Sequence, residues 1–323
     1  MQAIKKNRVF SPRGWTPPFL LPFEAWWQRF IYRQLNQAYS TARTIPFTNR
    51  DRLIFLSDSH RGDGGGSDVF KPNKPLFLHA LRAYFEQGFT YVEVGDGDEL
   101  WKYPNFRRIR QAHQDVFELL HRFNRENRLH IITGNHDVRR PDEMETERDG
   151  LLSREALLFE HVESMQKLFV VHGHQVDISS SHMHHFSQWS VEAFLPMLHR
   201  LGIISKVAKE RPQSRMPNDF FSWFKSLKPN TCQVEQRLMQ WAFQNRQITI
   251  CGHTHVQQFP RNQAVPYINT GSCLYDRYIT GLELIGGRLQ MIKWKAQEIQ
   301  GRVQFLREPM SAVWDLNERL SVE

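Results

Sequence analysis

The sequence predicts a layered α/β fold with a helical insertion, and three observations predict it. Short apolar runs rich in β-branched and aromatic residues alternate with stretches of helical spacing. Five of these runs end in clusters of Asp, Asn, His and Gly, at the strand ends where open α/β sheets place their sites. Between the fourth and fifth runs, residues 178–246 hold little that reads as strand, which predicts helices lying over that site.

Residues 1–48 form a basic, aromatic N-terminal extension. Within it, 22–42 reads as a helix: Phe23, Trp26, Trp27, Phe30, Ile31, Leu35 and Ala38 recur at three- and four-residue spacing, and Pro22 suits a helix start. Two readings stand for its apolar face. It packs on its own domain or a second subunit, or it lies in a membrane interface with its arginines toward headgroups.

The main domain spans 49–300. Arg52–Leu56 is a buried strand ending in Asp58-Ser59-His60, followed by the glycine-rich loop 62–67 and a helix from Lys74 to Gln87 that Gly88 stops. Thr90–Val94 ends in Gly95-Asp96-Gly97-Asp98-Glu99, and one long helix covers 105–127. Leu129–Ile132 ends in Thr133-Gly134-Asn135-His136-Asp137, and Leu168–Val171 ends in His172-Gly173-His174-Gln175-Val176-Asp177. The insertion offers helices at 187–201 and 230–245 around a basic, aromatic piece that includes Phe220–Lys225. Gln247–Ile250 leads into Cys251-Gly252-His253-Thr254-His255, and strands follow at 265–269, 278–284 and 289–294. Residues 301–323 read as a C-terminal tail.

At 323 residues with 40% hydrophobic and 24% charged positions, the composition is that of a globular protein of one large or two ordinary domains. Three cysteines without a CxxC pair point to a reducing compartment and away from a thiolate metal site. The formal charge of +8 favours anionic partners: phosphate esters, nucleic acid or an anionic membrane face. No dedicated nucleic-acid module is recognisable. Neither a signal peptide nor a run of transmembrane length is evident, so the expected location is the cytoplasm, with peripheral membrane or lipid contact through 22–42 and 178–246 as the alternative.

The clusters state the chemistry. Residues two apart on an extended backbone face the same side, so His253 and His255 can aim at one point, and paired imidazoles suit a transition metal. Taken singly, each cluster has a structural explanation: Asp58 as a cap, Asn135 in a turn, His172 as a satisfied core histidine. Five at strand ends in this order argue for a site. Two divalent ions about 3.5–4 Å apart clamp an in-line displacement at phosphorus, and they need a shared carboxylate with oxygen and imidazole ligands around it.

Together, Asp58-x-His60, Gly95-Asp96-x-x-Glu99, Gly134-Asn135-His136-Asp137, His172-Gly173-His174 and Gly252-His253-x-His255 resemble the calcineurin-like metallophosphoesterases over roughly residues 50–295. The resemblance implies an α/β/β/α sandwich and a dinuclear phosphohydrolase in which a hydroxide shared by the metals attacks a phosphate ester or anhydride. It implies that Asp58, His60 and His255 hold one metal, that Asn135, His172 and His253 hold the other, and that Asp96 bridges them. His136 is then the group beside the leaving oxygen, oriented by Asp137, with His174 behind the ligands. Two divalent ions are expected, Mn²⁺ by preference, with Fe or Zn²⁺ also compatible. A narrower resemblance is to the UDP-2,3-diacylglucosamine hydrolases of lipid A synthesis, carried by Gly95-Asp96-Gly97-Asp98-Glu99-Leu100-Trp101 and the insertion. His136 stands where that branch commonly has arginine, and Asp98 where it has an apolar residue. A scaffold of the same fold without metals is the alternative outside enzymology.

Overall fold

The computed structural model describes residues 21–138, 147–177, 231–260 and 265–318, with side chains at 21–30, 147–148 and 231–232 excepted. Alternation along its strands explains the layering. In β2 (Arg52–Leu56), Leu53 and Phe55 enter one apolar cluster while Ile54 and Leu56 enter another on the opposite face. In β8 (Lys167–Val171), Leu168 and Val170 share the cluster of Leu53 and Phe55, while Phe169 and Val171 face a third. Successive side chains of a strand point to opposite faces, so each strand is buried twice.

Two sheets result. The first has the order β1 (Arg43–Phe47), β7 (Ala156–His161), β8, β9 (Ile248–Cys251) and β10 (Tyr267–Asn269). The second runs β13 (Arg302–Pro309), β12 (Arg288–Ile299), β11 (Tyr278–Ile285), β2, β3 (Thr90–Val94), β4 (Leu129–Ile132), β6 (Leu151–Arg154) and β5 (Glu147–Arg148), with β14 (Trp314–Asp315) against β12. The strands β2, β3 and β4 are parallel, as are β8 and β9, so their C-terminal ends gather at one edge of each sheet. The shared cluster lies between the sheets. Helices α2 (Lys74–Glu86), α3 (Phe106–Ala112) and α4 (Gln114–Arg125) cover the second sheet. Helices α1 (Leu21–Thr41) and α5 (Thr231–Asn245) cover the first. The architecture is the expected α/β/β/α sandwich.

Several elements differ from the sequence reading. The single helix expected over 105–127 is two, broken at His113, whose backbone sits at φ −119°. Its buried Nε2 lies 2.8 Å from Asp68 Oδ2, and this contact to the glycine-rich loop turns the chain out of helical geometry. The strands β1, β5, β6 and β7 were not expected. Neither was β13: the segment read as a tail pairs in register along β12 from Arg302 to Pro309, and Trp314 and Leu316 are buried between the sheets. Of the insertion, the second expected helix is α5; the first, 187–201, and the piece 220–225 lie outside the described residues. From Ile31 onward the apolar stripe of α1 is buried in protein, with Ile31, Leu35 and Ala38 packed against Leu158, Phe169 and Leu238. Asn36 accepts from Trp241 Nε1 at 2.7 Å. The side chains of Phe23 to Phe30 lie outside the described residues. Among the described residues no helix is long and apolar enough to cross a membrane.

Leu35 is fully buried, so Leu35→Ala should cost about 2–5 kcal/mol in denaturant unfolding, against roughly 0.5 kcal/mol or less for a helix face that packs on nothing in the protein. The Asp68–His113 contact predicts a pH signature. Burial alone would raise the Asp68 carboxyl, but hydrogen bonds from His113 and the Gly64 amide outweigh it and bring the pKa from 3.8 to about 2. A carboxylate depressed on folding stabilises above its unfolded pKa and loses that contribution as pH falls through its folded one. The melting-temperature gap between wild type and Asp68→Asn should therefore be full above pH 4 and close toward pH 2; a gap independent of pH would contradict this.

Candidate metal centre

The C-terminal ends of β2, β3 and β4 meet those of β8 and β9 across the two sheets. Asp58 and His60 follow β2, Asp96 follows β3, and Asn135 and His136 follow β4; His172 follows β8, and His253 and His255 follow β9. Backbone hydrogen bonds lock these loops together. Asp58 N donates to Gly95 O at 3.0 Å, His60 N to Asp96 O at 2.9 Å, and Gly252 N to His172 O at 3.0 Å. The Asp58 carboxylate accepts from His253 N at 3.1 Å, which ties the second sheet to the first.

Three overlapping groups of donor atoms result: Asp58, His60 and His255; His60, Asp96 and His136; and Asp96, His172 and His253, the atoms of each lying within 4.8 Å of one another. His60 Nε2 and His255 Nε2 stand 3.2 Å apart, and His255 Nε2 is 3.2 Å from Asp58 Oδ1. Asp96 stands in two of these groups, its Oδ2 3.7 Å from His60 Nε2 and 3.1 Å from His172 Nε2. Asn135 Oδ1 and His172 Nε2 are buried and make no hydrogen bond. A buried polar atom without a partner costs about 1–3 kcal/mol, so these two atoms call for a ligand. The donor set is oxygen and imidazole nitrogen, and the two described cysteines, Cys251 and Cys273, are buried with their thiols pushed up by desolvation. The seven residues expected to bind metal all follow strand ends at this edge, and oxygen with imidazole nitrogen is a donor set that suits divalent ions.

The remote ring nitrogens fix the orientation of three histidines. His60 Nδ1 bonds Glu99 Oε2 at 2.9 Å and His172 Nδ1 bonds Val94 O at 2.8 Å, so each turns Nε2 toward the site. His253 is the reverse: its Nε2 bonds Asp177 Oδ2 at 2.9 Å. His174 stands behind the site, its ring 5.6 Å from that of His172.

One expected role is corrected. Asp137 does not hold His136: its carboxylate accepts from the amides of Gly134 and Asp98, both at 2.8 Å, and so shapes two of the loops. Glu99 takes the place expected of it, with Oε1 2.7 Å from His136 Nδ1 while Oε2 engages His60. Glu99 stands in the motif Gly95-Asp96-x-x-Glu99, and only the lack of an independent signal for its direction kept it from being read as the partner. Behind it, buried Arg61 forms a fork onto Glu93 at 2.6 and 2.9 Å and bonds Asp98 at 2.7 Å.

The electrostatics follow. Burial would raise the Asp96 carboxyl, but His172 and His60 beside it hold it well below the usual range. Burial would lower His172, but Asp96 and Asp58 push it up to about 10. His136 is likewise raised against its burial by Glu99 and Asp96, and Glu99 is held at about 2 by the two imidazoles that outweigh its own burial.

Backbone strain marks the same residues. Asp58, His60, Asp96, His253 and His255 all have φ between 46° and 68°, the left-handed region that costs a side-chain-bearing residue free energy. Close approach explains the glycines: a Cβ on Gly95 would overlap the His172 ring, and one on Gly134 would overlap Asp96.

An α/β/β/α sandwich carrying overlapping imidazole–carboxylate groups defines the class: a protein with a candidate metal site at the C-terminal edge of two sheets. The calcineurin-like phosphoesterase family matches residues 51–257, and the chain belongs to that family. No curated protein sequence matches it. Among solved structures it is similar to Vacuolar Protein Sorting 29 of Cryptosporidium parvum, at 13% identity over 81% of this chain and 98% of that one, with a TM-score of 0.39. It is also similar to the Entamoeba histolytica Vps29 complexed with Zn²⁺, at 14% identity, 80% and 98% coverage, and a TM-score of 0.37. Likenesses of this size say nothing about activity.

Because Asp96 stands in two of these groups and a Cβ on Gly134 would overlap it, Gly134→Ala should weaken metal binding: the affinity for Mn²⁺, measured by elemental analysis after equilibrium dialysis, should fall by at least about tenfold. Undiminished binding would contradict the close approach.

Proposed function

We propose that the protein is a dinuclear metal-dependent phosphohydrolase that cleaves a phosphomonoester, phosphodiester or pyrophosphate bond. The observation that carries this is buried Asn135 Oδ1, which makes no hydrogen bond, together with buried His172 Nε2, which stands 3.1 Å from the Asp96 carboxylate. Asp58, His60 and His255 would hold one ion, Asn135, His172 and His253 the other, and Asp96 both. Mn²⁺ is our choice, with Fe and Zn²⁺ also suited to oxygen and imidazole ligands. When bound, such ions supply Lewis acidity at a phosphoryl group and lower the pKa of water.

The chain's own residues do the rest. His136 has Nδ1 on Glu99, which leaves Nε2 to give a proton to the leaving oxygen. Glu99 and Asp96 raise its pKa against its burial, the direction an acid for that step needs. Trp101 lies over the His136 ring at 4.0 Å between centroids and is 41% exposed. An exposed indole beside the acid favours a substrate whose leaving group carries an organic, bulky or amphipathic part over inorganic phosphate. That supports, as the second reading, a lipid-linked nucleoside diphosphate of the UDP-2,3-diacylglucosamine type. It also fits a peripheral membrane contact through residues 22–42 and 178–246.

The test is a panel of phosphomonoesters, phosphodiesters and UDP-diacylglucosamine with Mn²⁺-loaded protein. Asp96→Asn should abolish turnover and most metal uptake while leaving the fold intact by circular dichroism. His136→Asn should keep both ions and slow hydrolysis by roughly 10²-fold or more, less for p-nitrophenolate, which needs little protonation. A protein that binds no Mn²⁺ and turns over nothing in the panel is a scaffold, and the proposal fails.

A further inference from the structure

We infer that Asp177 is a positioning residue of the second metal cluster, and that α1 and α5 hold it in place. The inference rests on the proposal that Asp96, Asn135, His172 and His253 bind an ion. His253 differs from His60 and His172 in the nitrogen it shows the site. Those two are held at Nδ1, by Glu99 and the Val94 carbonyl. His253 is held at Nε2, 2.9 Å from Asp177 Oδ2. A neutral imidazole carries one proton, and the nitrogen bearing it cannot donate a lone pair. The Asp177 carboxylate accepts only, so it selects the tautomer with hydrogen on Nε2 and leaves the Nδ1 lone pair for an ion shared with Asp96 and His172. Both side chains are largely buried, at 11% and 13% exposure, so water competes poorly for that hydrogen bond.

The position of Asp177 is set in part from outside the family-matched segment, by α1. It follows the 3₁₀ turn His174–Val176, and its amide donates back to His174 O at 3.0 Å. Val176 is buried with Ile31 and Leu35 of α1 and with Val234 and Leu238 of α5. Arg237 of α5 donates to Val176 O at 3.0 Å, and Tyr32 of α1 donates to Arg237 O at 3.4 Å. The N-terminal helix thereby reaches the metal cluster through one turn and one carboxylate.

Asp177→Ala and Asp177→Asn separate this role from a merely structural one, because the asparagine oxygen still accepts from Nε2–H. Calorimetric titration of metal-stripped protein with Mn²⁺ should show two ions in wild type. In Asp177→Ala one of them should weaken by about 10–100-fold, and in Asp177→Asn it should stay close to wild type. Long-range ¹H–¹⁵N spectra of ¹⁵N-histidine-labelled, metal-free wild type at mildly alkaline pH should show His253 protonated at Nε2, the resonance being assigned by its loss in His253→Gln. Asp177→Ala should give a mixture of tautomers. Unchanged affinity in Asp177→Ala, equal weakening in both variants, or an Nδ1–H tautomer in wild type would each overturn the inference. If Asp177→Ala does not fold, the wild-type tautomer decides. If wild type binds no Mn²⁺, the metal proposal has failed, and the tautomer still decides whether Asp177 orients His253.

Discussion

The contact on which the structure turns is the hydrogen bond from the His253 amide to the Asp58 carboxylate. Asp58 ends a strand of one sheet and His253 follows a strand of the other. The Asp58 carbonyl is held as well, accepting from Ser272 Oγ at 3.1 Å and from Cys273 N at 3.3 Å, and Ser57 Oγ lies 2.8 Å from Thr270 Oγ1. The two sheets pack through an apolar layer, which sets their spacing but not their sliding, because hydrophobic burial has no direction. Directional bonds at the C-terminal edge supply the missing register, and the donor atoms fall within a few ångströms of one another only in that register.

That register is reached at a local cost. Five of the donor residues sit at positive φ, each a conformation that costs of order 1–3 kcal/mol. The amides at these turns are bonded nonetheless: Asp58 N to Gly95 O, His60 N to Asp96 O, His253 N to Asp58. Beneath the loops, the fork of Arg61 onto Glu93 and its bond to Asp98 neutralise a buried guanidinium and pin both sides of the Gly97 turn.

What the sequence made legible were residues whose signal is local. Each strand leading to the site is a compact apolar run, and each cluster that follows carries residue types with few structural uses in combination. What it hid depends on partners distant in the chain. Ala156–His161 looks like any apolar stretch until Arg43–Phe47 and Lys167–Val171 flank it. Arg302–Pro309 carries charges that suit a tail, and only pairing with β12 makes it a strand. The break at His113 needs Asp68, forty-five positions earlier. Asp137 read as the partner of His136 because it is adjacent, yet adjacent side chains on a tight turn diverge, and its carboxylate serves two amides while Glu99 reaches His136 from another loop. Asp177 was visible as a letter, but nothing in the sequence aims it at His253.

Net charge misleads in the same way. The chain as a whole is positive by 8, which alone argues for anionic partners. The loops at the site reverse that sign: among the described residues Asp58, Glu93, Asp96, Asp98, Glu99 and Asp137 gather there, all at most slightly exposed, with the guanidinium of Arg61 beneath them. Without ions, Asp96 and Asp58 push the His172 imidazole up against its burial, and carboxylates beside His136 and His255 raise them in the same direction. Buried ammonium- or imidazolium-type charge is expensive to keep without a counter-charge, and buried carboxylates are equally so. Divalent cations satisfy both at once: they offset the carboxylates and take the imidazole lone pairs, so the imidazoles need carry no proton. The site therefore reads as a cation cage in a positively charged protein.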